Sequence, residues 1–271
     1  MLIADILETN KWMLAGKTGK LSLRVASSIT ILRGRAYGGY IFRNLVESIF
    51  HSSYLAVAMA LGIAILVKAR NRRQTLFGIM SVILVAGDAL QLIPRIISLN
   101  SSEPGRCAFF LGFGALASSV AATVFYALFY GVWKQGHINE RETLTSVSVH
   151  SLSAIRILLC LLPQNEWMKS KPPHIWSVLR NIPLFLLGGI IAGLFFRKRS
   201  DPVYGRMWMA IAASFAFFIP AVLLSEVCPA VEMLMLPKAC AYIWMMWIGF
   251  SDLKEVAPAQ IEQAERIEEL V

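Results

Sequence analysis

Apolar stretches about twenty residues long and nearly free of charge recur along the chain, separated by short polar connections. A helix needs about 20 apolar residues to cross the hydrocarbon core of a bilayer. The pattern predicts seven such spans, over 45–67, 76–97, 108–132, 143–162, 182–196, 207–224 and 231–250. The fourth is Ser-rich at its start and carries Arg156, and the fifth is short unless it begins near Ser177. The expected architecture is all-α, a seven-transmembrane-helix bundle. A basic tail over 1–44 precedes the membrane domain at 45–250, and an acidic tail follows over 251–271. Small residues crowd the third span (Gly112, Gly114, Ala115, Ala117, Ser118, Ser119, Ala121, Ala122). They allow close helix approach, which predicts a central position for it. Gly188, Gly189 and Gly193 are expected to serve the fifth span in the same way. No internal repeat marks inverted halves.

The connections set an orientation. The basic cluster at 68–73 follows the first span, and Arg197, Lys198, Arg199 and Arg206 follow the fifth. Compact basic loops are retained on the cytoplasmic side. The connections at 100–106 and 225–229 lack such clusters and read as external, which places the N-terminus outside and the C-terminus in the cytoplasm. Trp133, Trp208 and Trp247 then sit near inner ends, and Trp167 and Trp176 near outer ends, as interfacial aromatics do. The tail runs against this frame. It carries Lys11, Lys17, Lys20, Arg24, Arg33, Arg35 and Arg43 against Asp5 and Glu8, and its Leu21–Leu32 stretch is too interrupted for a signal peptide. It reads as a surface-lying segment or an extension outside the bundle. The last residues, 259–271, have the spacing of a short acidic amphipathic helix, a candidate for docking on the basic loops or on a cytoplasmic partner.

Composition agrees with a membrane protein. Of 271 residues 56% are hydrophobic and only 16% charged, where a soluble domain carries about 25%, and the mean hydropathy is +0.59. The net charge of +9 would suggest nucleic acid in a soluble protein. Here the basic residues occupy loops between apolar spans and no recognition motif accompanies them, so topology and anionic membrane lipid account for them and no nucleic-acid partner is expected. The localisation read from this is a bacterial plasma membrane. Four cysteines do not make a disulfide framework, although Cys107 and Cys228 both fall at external ends where a bridge would survive.

The informative residues are the ionisable ones inside the spans. A charge in hydrocarbon costs at least a few kcal/mol, so it normally faces the bundle interior and marks a site. Glu47, His51, Asp88, Arg95, Arg156, Arg180 and Lys238 come from five spans, and the alternation of directions places all of them near the midplane or outside it. In the second span Asp88, Gln91 and Arg95 stand at i, i+3 and i+7, on one face, with Pro94 free to bend the helix. Gln164 and Asn165 follow the fourth span, Asn181 follows Arg180, and Tyr242 lies one turn beyond Lys238. Structural ion pairing is one reading of these charges. The other is a net-basic, outward-side pocket, since arginine's planar fork suits a carboxylate or phosphate.

Other chemistries have less behind them. Seven-helix hydrolases of the alkaline-ceramidase and adiponectin-receptor type surround zinc with three histidines and an aspartate. This chain's His51, His137, His150 and His174 contain no His-x-x-x-His pair, and no metal or other cofactor is expected. A metal-free pair, Asp88 with His51, would supply a general base and acid for an intramembrane lipid hydrolase. Lys238 in the middle of the seventh span is where retinal-binding rhodopsins form a Schiff base, but the third span has no carboxylate. The inner halves offer hydroxyls such as Ser81, Thr123 and Ser214 rather than a charged relay for a channel or pump.

The strings Gly87-Asp88-Ala-Leu-Gln-Leu-Ile-Pro-Arg95, Leu162-Pro-Gln-Asn-Glu-Trp167, Arg180-Asn-Ile-Pro183 and Leu236-Pro-Lys-Ala-Cys-Ala-Tyr242 resemble an uncharacterised bacterial family of multi-pass membrane proteins. The resemblance covers roughly 45–252 and implies no activity. A histidine often stands in that family where this chain has Gln91, a departure that weakens metal or His-base chemistry. The functional expectation is binding of a small anionic or amphiphilic ligand, for sensing or transport. Asp88, Arg95, Arg156, Arg180 and Lys238 would bind the ligand or set the field, Gln91, Gln164, Asn165 and Asn181 would orient it, and Tyr242 and Glu47 are further candidates for binding it.

Overall fold

A computed structural model describes residues 19–101, 107–137, 143–169 and 172–268, with side chains described over 42–253 of these except 229 and 230. The described chain is all-α: α1 (Gly19–Lys68), α2 (Arg72–Leu99), α3 (Ala108–Gly136), α4 (Thr143–Leu161), α5 (His174–Arg197), α6 (Met207–Leu223) and α7 (Met235–Glu268). Short 3₁₀ turns occupy Pro163–Asn165, Tyr204–Arg206 and Pro229–Leu234. Two compact units are present, Met1–Glu47 and Ser48–Val271, and the bundle described below is the second.

Seven stretches among the described residues are long and apolar enough to cross a membrane: Phe42–Lys68, Arg72–Leu99, Ala108–Gly136, Thr143–Leu161, His174–Arg197, Tyr204–Leu223 and Val231–Leu253. The largest difference from the hydrophobic pattern is the fifth, which begins eight residues before 182. Arg180 and Asn181 interrupt the apolar run, yet both side chains are hydrogen-bonded inside the protein, so the helix continues through them and through Pro183. At the start of α2, Asn71 caps the helix by accepting from the Gln74 backbone N–H at 2.9 Å, satisfying one of the free donors of a first turn.

The tightest contact is between α2 and α3. A methyl group on Gly87 would lie 2.2 Å from the Ala121 Cβ, and one on Gly114 would lie 2.1 Å from the Leu90 carbonyl oxygen. That carbonyl is the one Pro94 leaves without its helical donor four residues on. The backbone of α3 therefore packs onto the segment of α2 that Pro94 loosens, an approach only glycine permits. Central placement of α3 agrees with its further packing on α4 and α5. Gly78 likewise admits the Leu66 backbone of α1, and Gly188 of α5 receives the ring of Phe215. Gly189 and Gly193 do not close an interface as expected, since nothing lies within 4 Å of either Cβ position. Towards the α1–α2 turn the core is aromatic. Phe77 meets Phe129 edge-on with centroids 5.9 Å apart, and Phe129 meets Phe195 at 5.1 Å. All four cysteines, including Cys107 and Cys228, are unbridged.

These contacts separate two glycine roles. Gly114→Val should destabilise the purified protein by about 1–3 kcal/mol, as overpacking does, read as a lower thermal midpoint. Gly189→Ala faces open space and should be neutral or stabilising, by up to about 1 kcal/mol from helix propensity.

Candidate functional site

Successive spans run in opposite directions, so Asp88, Arg156, Arg180 and Lys238 fall in the half of the bundle away from the α1–α2 turn. Asp88 lies midway along α2. Its Oδ2 accepts a hydrogen bond from the Tyr54 hydroxyl on α1 at 2.6 Å, and its Oδ1 accepts from Ser118 Oγ on α3 at 2.9 Å. Ser118 reaches it because Gly87 and Ala121 bring the two helices together at that level. Lys238 of α7 is within electrostatic range of Asp88 but closes no ion pair with it. Its ammonium instead stands 4.1 Å from the centroid of Phe218 and 5.2 Å from that of Tyr242. Cation–π contacts of this kind stabilise a desolvated charge by about 2 kcal/mol or more.

Arg156 of α4 is only 2% exposed. Its Nη1 donates to the Ser119 carbonyl at 2.6 Å and to Thr123 Oγ1, and its Nη2 donates to Asn181 Oδ1 at 3.1 Å. Its Nε is buried without a hydrogen-bond partner among the described residues. Arg180, nearly two turns into α5, donates from Nη1 to Asn165 Oδ1 at 3.0 Å and from Nη2 to Ser177 Oγ at 3.2 Å. The guanidinium lies over the Trp167 ring, 4.1 Å from its centroid. Arg156 and Arg180 are joined in sequence and space through Asn181, which follows Arg180 and accepts from Arg156. Neither makes an ion pair with a carboxylate among the described residues. Nearby, the Tyr126 hydroxyl lies close to Ser214 and Tyr242 and is buried without a well-formed hydrogen bond.

The connection after α4 supports this arrangement. Asn165 is fully buried, and its Nδ2 lies 2.6, 3.3 and 2.9 Å from the carbonyls of Leu159, Cys160 and Leu162. Trp167 Nε1 donates to the Cys160 carbonyl at 2.9 Å. Together they satisfy the terminal carbonyls that a helix leaves open. Glu166 turns the chain in the left-handed region at φ 48°. Asn165 is thus bonded on both faces, to the end of α4 and to Arg180, and Asn181 joins Arg156 to the Ser177 carbonyl, which its Nδ2 reaches at 2.8 Å.

The remaining residues predicted for the site take no part in the hydrogen bonds described above. Arg95 pairs with Glu232 at 3.6 Å, both partly exposed. Seven residues beyond Asp88 on one face means two helical turns, about 10 Å. Gln91 makes no side-chain hydrogen bond among the described residues, and Gln164 is exposed. Glu47 belongs to the other unit, Met1–Glu47. His51 meets Phe50 edge-on at 6.0 Å, while the hydrogen-bond donors to Asp88 are Tyr54 and Ser118. The other histidines bond backbone carbonyls, His137 to Trp133 at 2.9 Å, His150 to Ser146 at 2.6 Å and His174 to Val222 at 3.0 Å. Tyr54 and Trp167 are the partners that spacing did not single out as part of a site. One aromatic among many in apolar sequence carries no signal of which helix it faces.

The Asp88 contacts predict stability. Tyr54→Phe and Ser118→Ala should each cost about 1–3 kcal/mol, as expected when hydrogen bonds to a charged group are lost. A double-mutant cycle of Tyr54→Phe with Asp88→Asn should give a coupling of about 0.5–3 kcal/mol, measured by denaturation in detergent.

No protein-family model, curated protein or solved structure matches the chain.

Proposed function

We propose that this membrane protein binds a small anion, or an amphiphile with an acidic head group, between α4, α5 and α7, for sensing or transport. One observation carries the reading. Arg156 bonds Asn181, the residue that follows Arg180, so both guanidiniums are engaged at the start of α5 by neutral oxygens and a ring, with no carboxylate paired to either among the described residues. Cations in hydrocarbon are ordinarily neutralised, and a pair of guanidinium forks suits carboxylate or phosphate. Lys238, which lies against the Phe218 and Tyr242 rings, adds a third positive group, and the Nε of Arg156, buried without a hydrogen-bond partner among the described residues, is a spare donor. Asp88 balances part of this field. The N-terminal end faces outward in a bacterial plasma membrane on this reading, because the basic turns 68–73 and 197–199 lie at the opposite end. The hydrolase reading needs His51 to act with Asp88, and the carboxylate is held by Tyr54 and Ser118 instead.

Native mass spectrometry of gently purified protein, with lipid analysis of what co-purifies, tests the proposal. Wild type should carry a defined acidic lipid or metabolite. Arg156→Gln and Lys238→Gln should each weaken its retention about 10- to 100-fold, the value of about 1.5–3 kcal/mol for a hydrogen bond to a charged group. An empty wild type as stable as both variants would overturn the binding reading.

A further inference from the structure

The opposite end of the bundle carries a second feature, independent of the proposal above. Segments distant in sequence meet around Arg73 and Tyr204. The Arg73 guanidinium lies over the Tyr204 ring, 3.8 Å from the centroid, and 4.0 Å from Asp201 Oδ2. Its neighbour on α3 is Gly136, where an added Cβ would lie 3.2 Å from the Arg73 Cζ. The Tyr204 hydroxyl donates to Asp252 Oδ2 at 3.3 Å, and Gln74 Nε2 donates to the Asp252 carbonyl at 3.3 Å. The α1–α2 turn, the α5–α6 turn and α7 are therefore fastened together.

That fastening has an electrostatic consequence. It merges two basic loops into one surface, with Arg70, Arg72, Arg199 and Arg206 exposed on it. Two described carboxylates at this end, Asp201 and Asp252, are engaged. Asp201 Oδ1 accepts from the Val203 and Tyr204 backbone N–H groups at 2.9 and 2.7 Å, its Oδ2 faces Arg73, and Asp252 is buried. None of the four exposed arginines forms an ion pair with a described residue. Arg199 is placed over Phe196, 5.0 Å from its centroid, and Phe196 meets Trp208 edge-on at 5.1 Å. Trp247, at the same end of the neighbouring α7, is 53% exposed. Exposed tryptophans beside the ends of apolar spans mark the head-group level, so the arginines stand where phosphates would be.

We infer that this end is a docking surface for anionic phospholipid head groups of the adjoining leaflet, with Arg70, Arg72, Arg199 and Arg206 as phosphate contacts. Each basic group near an anionic membrane surface adds attraction that falls off within a Debye length, and guanidinium bonds phosphate in bidentate fashion. The juxtaposition matters, because each loop supplies two of the four proposed phosphate contacts and only the assembled end presents all four.

The full chain in detergent is titrated with phosphatidylglycerol or phosphatidylcholine of equal chain length and read by native mass spectrometry. Wild type should retain the anionic lipid over the zwitterionic one by about tenfold at low salt, and that preference should shrink as salt is raised. The quadruple variant Arg70→Gln/Arg72→Gln/Arg199→Gln/Arg206→Gln should fall to within about twofold of no preference, while retaining whatever ligand Arg156 and Arg180 hold. The quadruple Arg→Lys variant keeps the charge and should keep at least half of the preference, which separates lost contacts from a misfolded bundle. Equal retention of the two lipids by wild type, or an unchanged preference in the glutamine variant, would overturn the inference.

Discussion

The cost of keeping charge in a low-dielectric interior constrains this bundle more than any other interaction. Arg156 is the clearest case. Its guanidinium is almost fully buried and is met by a backbone carbonyl, a threonine hydroxyl and an asparagine amide drawn from α3 and α5. An arginine so placed requires its neighbours to stay within hydrogen-bond distance, because an unmet charge in hydrocarbon costs at least a few kcal/mol. The same requirement recurs at Asp88, which ties α1 to α2 and α3, and at Lys238, which lies against rings from α6 and α7. Hydrogen bonds of this polar layer therefore link α1 through α5, and the Lys238 contact joins α7 to α6.

Small residues make that layer reachable. Gly87 and Gly114 let α2 and α3 approach through their backbones, and Ser118, one turn before Ala121, is thereby delivered to Asp88. Pro94 contributes by releasing the Leu90 carbonyl at the level where Gly114 packs. Without a hydrophobic drive between helices in lipid, close backbone packing and a few strong polar contacts must hold them together, and here both occur at the same positions.

The two ends of the bundle divide labour by chemistry. One half is held by hydrogen-bonded charges and leaves two arginines without a carboxylate among the described residues. The other packs Phe77, Phe129, Phe195 and Tyr204 as an aromatic core, capped by the Arg73, Asp201 and Asp252 cluster. Hydroxyls in the aromatic half bond locally, as Ser81 does to the Phe77 carbonyl at 2.8 Å, so the structure offers no charged path from one end to the other among the described residues.

The helical class, the number of spans and most of their limits were legible in the sequence, because twenty-residue apolar runs have one satisfactory backbone solution in hydrocarbon. So were Arg156, Arg180, Asp88 and Lys238, since ionisable residues are rare enough in such runs to stand out. The sequence left their partners open. Pairing depends on how neighbouring helices rotate and how closely they approach, which side-chain contacts decide. Helical spacing grouped Arg95 with Asp88, yet two turns separate them and Arg95 meets Glu232. Gly188 packs against Phe215 whereas Gly189 and Gly193 meet nothing, although all three look alike in the chain. Tyr54, Trp167 and the Arg73 cluster emerged only from the tertiary structure, because a lone tyrosine, tryptophan or loop arginine does not reveal which distant segment it will touch.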